Sequence, residues 1–259
     1  MNLVEQVRLA GVVGAGGGGF PTHIKLAAKA DTVIANGAEC EPLLHKDAAV
    51  MERQAVAMVQ GIQLAMTAVG AISGVVGIKA KNQHAVDAVE AACRGTDVRV
   101  HLLGDYYPAG DEYDLVYEVT GQLIPPGGIP LNVGVVVCNV ETFVNIAEAA
   151  AGRPVIAKTL TIAGAVREPK TITVPIGTSL RDCLQAAGGV TVADPVLAIG
   201  GMMMGETTDE LDRPVSKTTG GVIVLERNHH VIERKLKPAK EQNAIGKSAC
   251  DQCRYCTEL

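Results

Sequence analysis

Residues 14–25 read Gly-Ala-Gly-Gly-Gly-Gly-Phe-Pro-Thr-His-Ile-Lys, which puts five glycines, an aromatic ring and a lysine within twelve positions. Without Cβ atoms, the backbone N–H groups around Gly14, Gly16, Gly17 and Gly19 can approach an anion closely, and Lys25 adds a positive charge. Thr22 has the hydroxyl to cap a short helix running through Lys25, and such a helix start favours negative charge. Phe20, one of two phenylalanines in the chain, offers a flat apolar face. The segment suits a molecule that is both phosphorylated and planar, and a flexible surface loop would share its composition. The ordinary dinucleotide fingerprint follows a strand, whereas residues 3–10 have helical spacing, so a nucleotide site here is not of the standard Rossmann kind.

Three further clusters carry polar chemistry. Asn36-Gly37-Ala38-Glu39-Cys40-Glu41-Pro42 follows an apolar run that reads as a buried strand. Asn36 can pair with a flavin ring edge or a phosphate, and Glu39 and Glu41 can orient a nicotinamide or a ribose; a solvated acidic turn is the alternative. Tyr107-Pro108-Ala109-Gly110-Asp111-Glu112 follows the strand expected at 98–103, and Asn139 ends another at 133–138, where it either meets a phosphate or caps the next helix. Loops at the carboxyl ends of parallel strands are where α/β proteins place ligands. At the far end, Cys250, Cys253 and Cys256 form C-x-x-C-x-x-C, the opening of the bacterial iron–sulfur run. The next ligand of that run falls due where the sequence stops at Leu259, so a fourth cysteine is expected beyond it.

The elements that must position these clusters alternate. Strands at 32–35, 74–80 and 98–103 are separated by helices at 48–69 and 83–94, which implies a parallel sheet with covered faces. After the Gly152-Arg153-Pro154 break, β-branched runs at 158–166 and 171–175 meet at a turn, and a helix at 180–187 leads to strands at 196–199 and 222–225. That ββαββ order fits a β-grasp domain. We expect an atypical Rossmann-like α/β domain over 1–155, a β-grasp domain over 156–228, and a linker with the start of a ferredoxin-like segment over 229–259. Met202 to Met204 read as packing residues and His229-His230 as a solvated linker.

A chain of 259 residues that is 47% hydrophobic can fill a sizeable core. Its formal charge of -5, with no basic block, argues against nucleic acid. The longest apolar stretch is broken by glutamines and glycines, so no membrane insertion is expected, and no secretion signal heads the sequence. Seven cysteines then point to reduced thiols or cofactor ligands in a cytoplasmic protein.

The ordered set F-P-T-x-x-K after glycines, N-G-A-E-C-E-P, Y-P-x-G-x-E, N-V-E-T, a hairpin domain and C-x-x-C-x-x-C resembles the flavin-binding subunit family of respiratory complex I and its counterpart in the Rnf complex, over essentially the whole chain. The resemblance is nearest to the branch that reduces corrinoids in bacterial microcompartments. It implies noncovalent FMN, touched by Gly14, Gly16, Gly17, Gly19, Lys25, Asn36, Glu39, Tyr107, Gly110, Asp111 and Asn139, with Phe20, Glu41 and Glu112 toward NADH. It further implies a 4Fe-4S cluster on Cys250, Cys253 and Cys256. The electron acceptor would be cobalamin or a partner redox protein, in the cytoplasm and within reach of microcompartment enzymes. The pattern departs from complex I at Ala15, Ala38 and Cys138. An Rnf-like ferredoxin:NAD oxidoreductase subunit and a non-catalytic ligand-binding module are the alternatives.

Overall fold

A computed structural model describes residues 1–250 and 252. Helices α1 (Leu3–Leu9) and α2 (Thr22–Leu26) flank the glycine segment. There follow β1 (Thr32–Gly37), α3 (Lys46–Val69), β2 (Ser73–Lys79), α4 (Gln83–Cys93), β3 (Val98–Leu103), α5 (Glu112–Thr120), β4 (Val135–Asn139) and α6 (Val140–Ala150). The four strands form a parallel sheet in the order β3-β2-β1-β4. Side chains alternate across it as the period of two demands. Val33, Ala35, Val136 and Cys138 join the core beneath α3, α4 and α6. Ile34, Val135 and Val137 face the other way, toward Leu115 and Val116 of α5. Both faces are covered, as parallel sheets require.

The direction of winding reverses between β1 and β4, and Asn36 and Asn139 are register partners at their carboxyl ends. In doubly wound sheets that reversal opens a crevice. The glycine segment reaches it from the amino-terminal side, held by a bridge between Val13 and Pro21.

The chain continues through β5 (Ala157–Gly164), β6 (Lys170–Pro175), α7 (Leu180–Ala186), β7 (Pro195–Ile199), β8 (Glu206–Thr208) and β9 (Gly221–Glu226). The hairpin expected from the β-branched runs forms β5 and β6. β5 also pairs in parallel with β9, giving the order β6-β5-β9-β7-β8, a β-grasp sheet with one added edge strand. Ser179 caps α7 by accepting from the Asp182 amide, and Leu180, Cys183 and Leu184 fill one face. On the other face, Leu44 from the first unit packs on Ala198 and Ile223.

The fold departs from the sequence reading at four places. Thr22 does not cap α2: Pro21 holds that position, and Thr22 is the first helical residue. A 3-10 turn at Pro130–Val133 delays β4. β8 has only three residues, too few to show a pattern. His229-His230 opens α8 (His230–Leu236), with the His229 ring accepting from the Val231 amide, and α9 (Ala239–Ala249) follows. Among the described residues no helix is long and apolar enough to cross a membrane.

The crossing of α3 and α6 is set by Gly61, where a Cβ would lie 1.9 Å from the Phe143 carbonyl oxygen. Helix propensity alone favours Gly61→Ala by about 1 kcal/mol, while overpacking of backbone costs about 3 kcal/mol. Packing wins: we expect Gly61→Ala to lower the urea midpoint clearly, and a raised midpoint would show that the helices can move apart.

Candidate functional site: a cleft at the sheet switch point

A cleft of about 470 Å³ opens at the β1/β4 reversal, within the roughly 300–1,000 Å³ typical of small-molecule sites. Gly14, Gly16, Gly19, Phe20 and Lys25 line one side. Asn36, Glu39 and Glu41 come from the end of β1, Tyr107, Gly110, Asp111 and Glu112 from the loop before α5, and Asn139 from the β4–α6 junction. Gly17 alone among the expected contacts does not line it. Cys250 is exposed after α9; Cys253 and Cys256 lie outside the described residues. Among the described residues no group of three His, Cys, Asp or Glu side chains could hold a metal ion.

The glycine segment is a tight loop, closed by Gly14 N to Phe20 O (2.9 Å) and Gly19 N to Gly14 O (3.2 Å). Gly17 and Gly19 have φ of 118° and 64°, conformations that side chains disfavour. Ala15 N donates to Thr142 Oγ1 at 3.0 Å. Among the described residues the amides of Gly16, Gly17 and Gly18 meet no acceptor, and the space a Cβ would take at Gly17 and Gly18 is open. Lys25 Nζ donates to Val137 O at 2.7 Å, stands 3.8 Å from Glu112 Oε1, and lies 5.9 Å from the centre of the Phe20 ring. Free amides, a lysine and a flat ring on one wall fit a phosphorylated planar ligand. The Thr22 hydroxyl, buried in that wall, also has no partner among the described residues.

Several expected contacts prove to be braces. Asn36 donates through Nδ2 to Gly110 O (2.8 Å) and accepts from Ala38 N, tying the loop before α5 to β1. Gly110 has no room for a side chain there, since a Cβ would lie 2.7 Å from Cys40 Sγ. The Asp111 carboxylate caps α5 by accepting from Tyr113 N. Glu41 accepts from Met203 N (2.9 Å) and Met204 N (2.7 Å), which belong to the β7–β8 loop. Met203 and Met204 also line the cleft, whereas Met202 packs as expected against the Leu44 cluster.

Beneath the cleft lies a buried ionic network that sequence reading missed. Asn139 Oδ1 accepts from the Glu141 amide, capping α6, and from Lys46 Nζ at 3.4 Å, while its Nδ2 donates to Asp47 Oδ2 at 2.9 Å. Lys46 bonds Asp47 directly and sits 3.5 Å from Glu141 Oε2. Lys158, from β5, donates to that same Glu141 oxygen (2.5 Å) and to Ala15 O (2.8 Å). The only signal available was the pair of charges Lys46-Asp47 beside an apolar helix; Glu141 and Lys158 are far apart in sequence and join only through the fold.

Burial governs how these groups titrate. Desolvation, then the nearby Asp47 charge, pushes the Glu39 carboxyl up to about 8. Desolvation, then the Lys46 charge, brings Lys158 down to about 8. Burial opposes the Lys46 ammonium, but Asp47, Glu141 and Glu39 outweigh it and hold its pKa above the ordinary lysine value. Burial also raises the Cys138 thiol to about 11, against the opposing charge of Lys25. Burial therefore favours the protonated form of Glu39, whose Oε2 accepts from the Asp47 amide at 3.2 Å, despite the acidic sequence around it.

Linkage gives the sign. Between pH 4.5 and about 8 the native state holds a proton on Glu39 that the unfolded chain has lost, so stability falls as pH rises. Between about 8 and 10.5 the unfolded chain holds the extra proton, on Lys158, and stability rises again. We expect the wild-type urea midpoint to drop from pH 5.5 to pH 7.5 and that drop to shrink in Glu39→Gln. Parallel profiles for the two proteins would exclude Glu39 as its source.

Known proteins resemble this chain in sequence and fold. Residues 7–148 match the Nuo51 FMN-binding domain model, and residues 159–207 match the SLBB domain model. The chain is 49% identical over 98% of its length to a protein named cobalamin reductase PduS from Citrobacter freundii, covering 56% of that protein. It is 38% identical over 97% of its length to one subunit of a proton-translocating ferredoxin:NAD(+) oxidoreductase complex from Clostridium ljungdahlii, covering 54% of it. The chain thus spans about half the length of the curated relatives it matches. A crystal structure of an NAD+-reducing [NiFe]-hydrogenase in the H2-reduced state superposes with a TM-score of 0.74 at 24% identity, over 90% of this chain and 48% of that one, a likeness of fold. With more than half of its length inside the matched region, including the glycine loop, the parallel sheet and every cleft residue except Met203 and Met204, this chain belongs to the Nuo51 FMN-binding domain family.

Proposed function

We propose that this chain holds FMN in the cleft and forms part of an NADH-dependent oxidoreductase that passes electrons through iron–sulfur clusters to an acceptor, a corrinoid. The observation that carries the reading is the meeting of unpaired glycine amides, Lys25 and the ends of β1 and β4 in one cleft. FMN, when bound, supplies two-electron exchange with a nicotinamide and one-electron exchange with clusters.

The protein's own part is positioning. The amides of Gly16, Gly17 and Gly18 with Lys25 would take the phosphate, as a cradle of N–H groups and a point charge. Glu39 would keep its proton near pH 7 and direct it as a hydrogen bond at the ring edge. Asn36 and Asn139 would hold the two strand ends at fixed separation. Phe20 and Glu112 would stand on the nicotinamide side, and Tyr107 beside the FMN. Cys250, Cys253 and Cys256 would supply three thiolates to a 4Fe-4S cluster, on the strength of their spacing.

The higher identity to the relative named a cobalamin reductase than to the ferredoxin:NAD(+) oxidoreductase subunit supports a corrinoid acceptor. Its setting would be the cytoplasm, among microcompartment enzymes. The units behind this reading are 1–155 for FMN, 156–228 for the β-grasp domain and 229–259 for the start of the cluster-bearing segment.

Purified chain mixed with FMN and freed of excess should keep a flavin absorbance band, and anaerobic NADH should bleach it. No retained flavin would end the reading. Lys25→Ala should weaken FMN binding about tenfold or more, the cost of losing a charge-assisted hydrogen bond; unchanged affinity would remove Lys25 from the site.

A further inference from the structure

The β7–β8 loop, Gly200-Gly201-Met202-Met203-Met204-Gly205, is fastened on three sides. Met202 packs into the apolar cluster around Leu44. The Glu41 carboxylate receives two successive amides, one on each oxygen. Lys235 of α8 donates to Gly205 O at 2.9 Å and reaches Met203 O at 3.4 Å. The close approach needs glycine at 201, where φ is 123° and a Cβ would lie 2.3 Å from the Glu41 carboxyl. A loop held this firmly nevertheless leaves Met203 46% and Met204 88% exposed at the cleft. Exposed thioethers gain nothing from water, and they pack well against aromatic rings.

Resting on the FMN and NADH reading, we propose that Met203 and Met204 form the wall of a dinucleotide subsite contributed by the β-grasp domain, with Glu41 as the positioning residue that latches them. A dinucleotide brings two planar rings to the flavin. The first unit offers only Phe20 and Tyr107 as exposed aromatics in the cleft, at 48% and 64%. Phe143, the other phenylalanine, is locked in the core. The methionines supply the remaining apolar ring contact. Glu41 then acts through the loop: its oxygens are already engaged, so it aims the thioethers and does not itself hold the ligand.

NAD+ is titrated into the FMN-loaded chain by calorimetry, with FMN affinity measured separately. The double variant Met203→Ala/Met204→Ala should weaken NAD+ binding about tenfold and leave FMN affinity within about twofold, the same factor being read for every variant. Met203→Leu/Met204→Leu should recover most of the loss, because bulk and apolarity return. Glu41→Ala should weaken NAD+ in the wild-type background and add nothing in the double-alanine background. Unchanged NAD+ affinity in the double-alanine variant, an equal loss of FMN, or an additive Glu41→Ala effect would each overturn the inference. A wild-type chain that keeps FMN yet binds neither NAD+ nor NADH would overturn the NADH reading and this inference with it.

Discussion

The interaction on which the rest depends is the bond from Lys158 to Glu141 and Ala15. One ammonium, carried by the first strand of the β-grasp sheet, meets the carboxylate of the first turn of α6 and the main chain of the glycine loop. Glu141 also accepts from the Thr159 amide at 3.0 Å. Burying such charges is costly unless each finds partners. Here two lysines share Glu141 and Asp47, and Asn139 bridges the rest. The same residues thereby set the cap of α6, the height of the glycine loop and the seat of the second sheet.

This arrangement explains why the cleft is less acidic than its sequence. Of the acids near it, Asp47 is spent on Lys46, Glu41 on main-chain amides and Asp111 on a helix cap. Glu39 is left facing Asp47 in a dry environment and keeps its proton. The proposed phosphate site is thus compatible with nearby carboxylates, because Asp47, Glu41 and Asp111 are engaged by a lysine, main-chain amides and a helix cap, and Glu112 stands 3.8 Å from Lys25.

Much of the architecture was legible because it rests on local rules. Alternation of strand and helix gave the parallel sheet, and β-branched runs around a turn gave the hairpin of β5 and β6. Cleft residues around Asn36, Tyr107 and Asn139 could be read because their loops follow strands in a wound sheet, and those of the glycine segment by composition, since it lies between two helices. What stayed hidden has a common cause, in that it depends on pairs distant in sequence. Nothing near Glu141 announces Lys158, and nothing near Glu41 announces Met203. Thr22 was misread as a cap because Pro21, extended and directly before it, takes that position. β8 escaped because an edge strand of three residues is defined by its partner, not by its own pattern.

The glycine loop is pinned by Lys158 at Ala15 O, 143 positions away in sequence, and its approach from α1 by Lys217 at Gly11 O, 206 positions away. Both lysines come from the β-grasp unit, so the loop takes its held form only when the two units meet. The geometry of the cradle therefore depends on residues of both units. A chain cut before β5 would lack both lysines that hold this loop. The shape of the glycine loop is accordingly a property of the two units together and of neither alone.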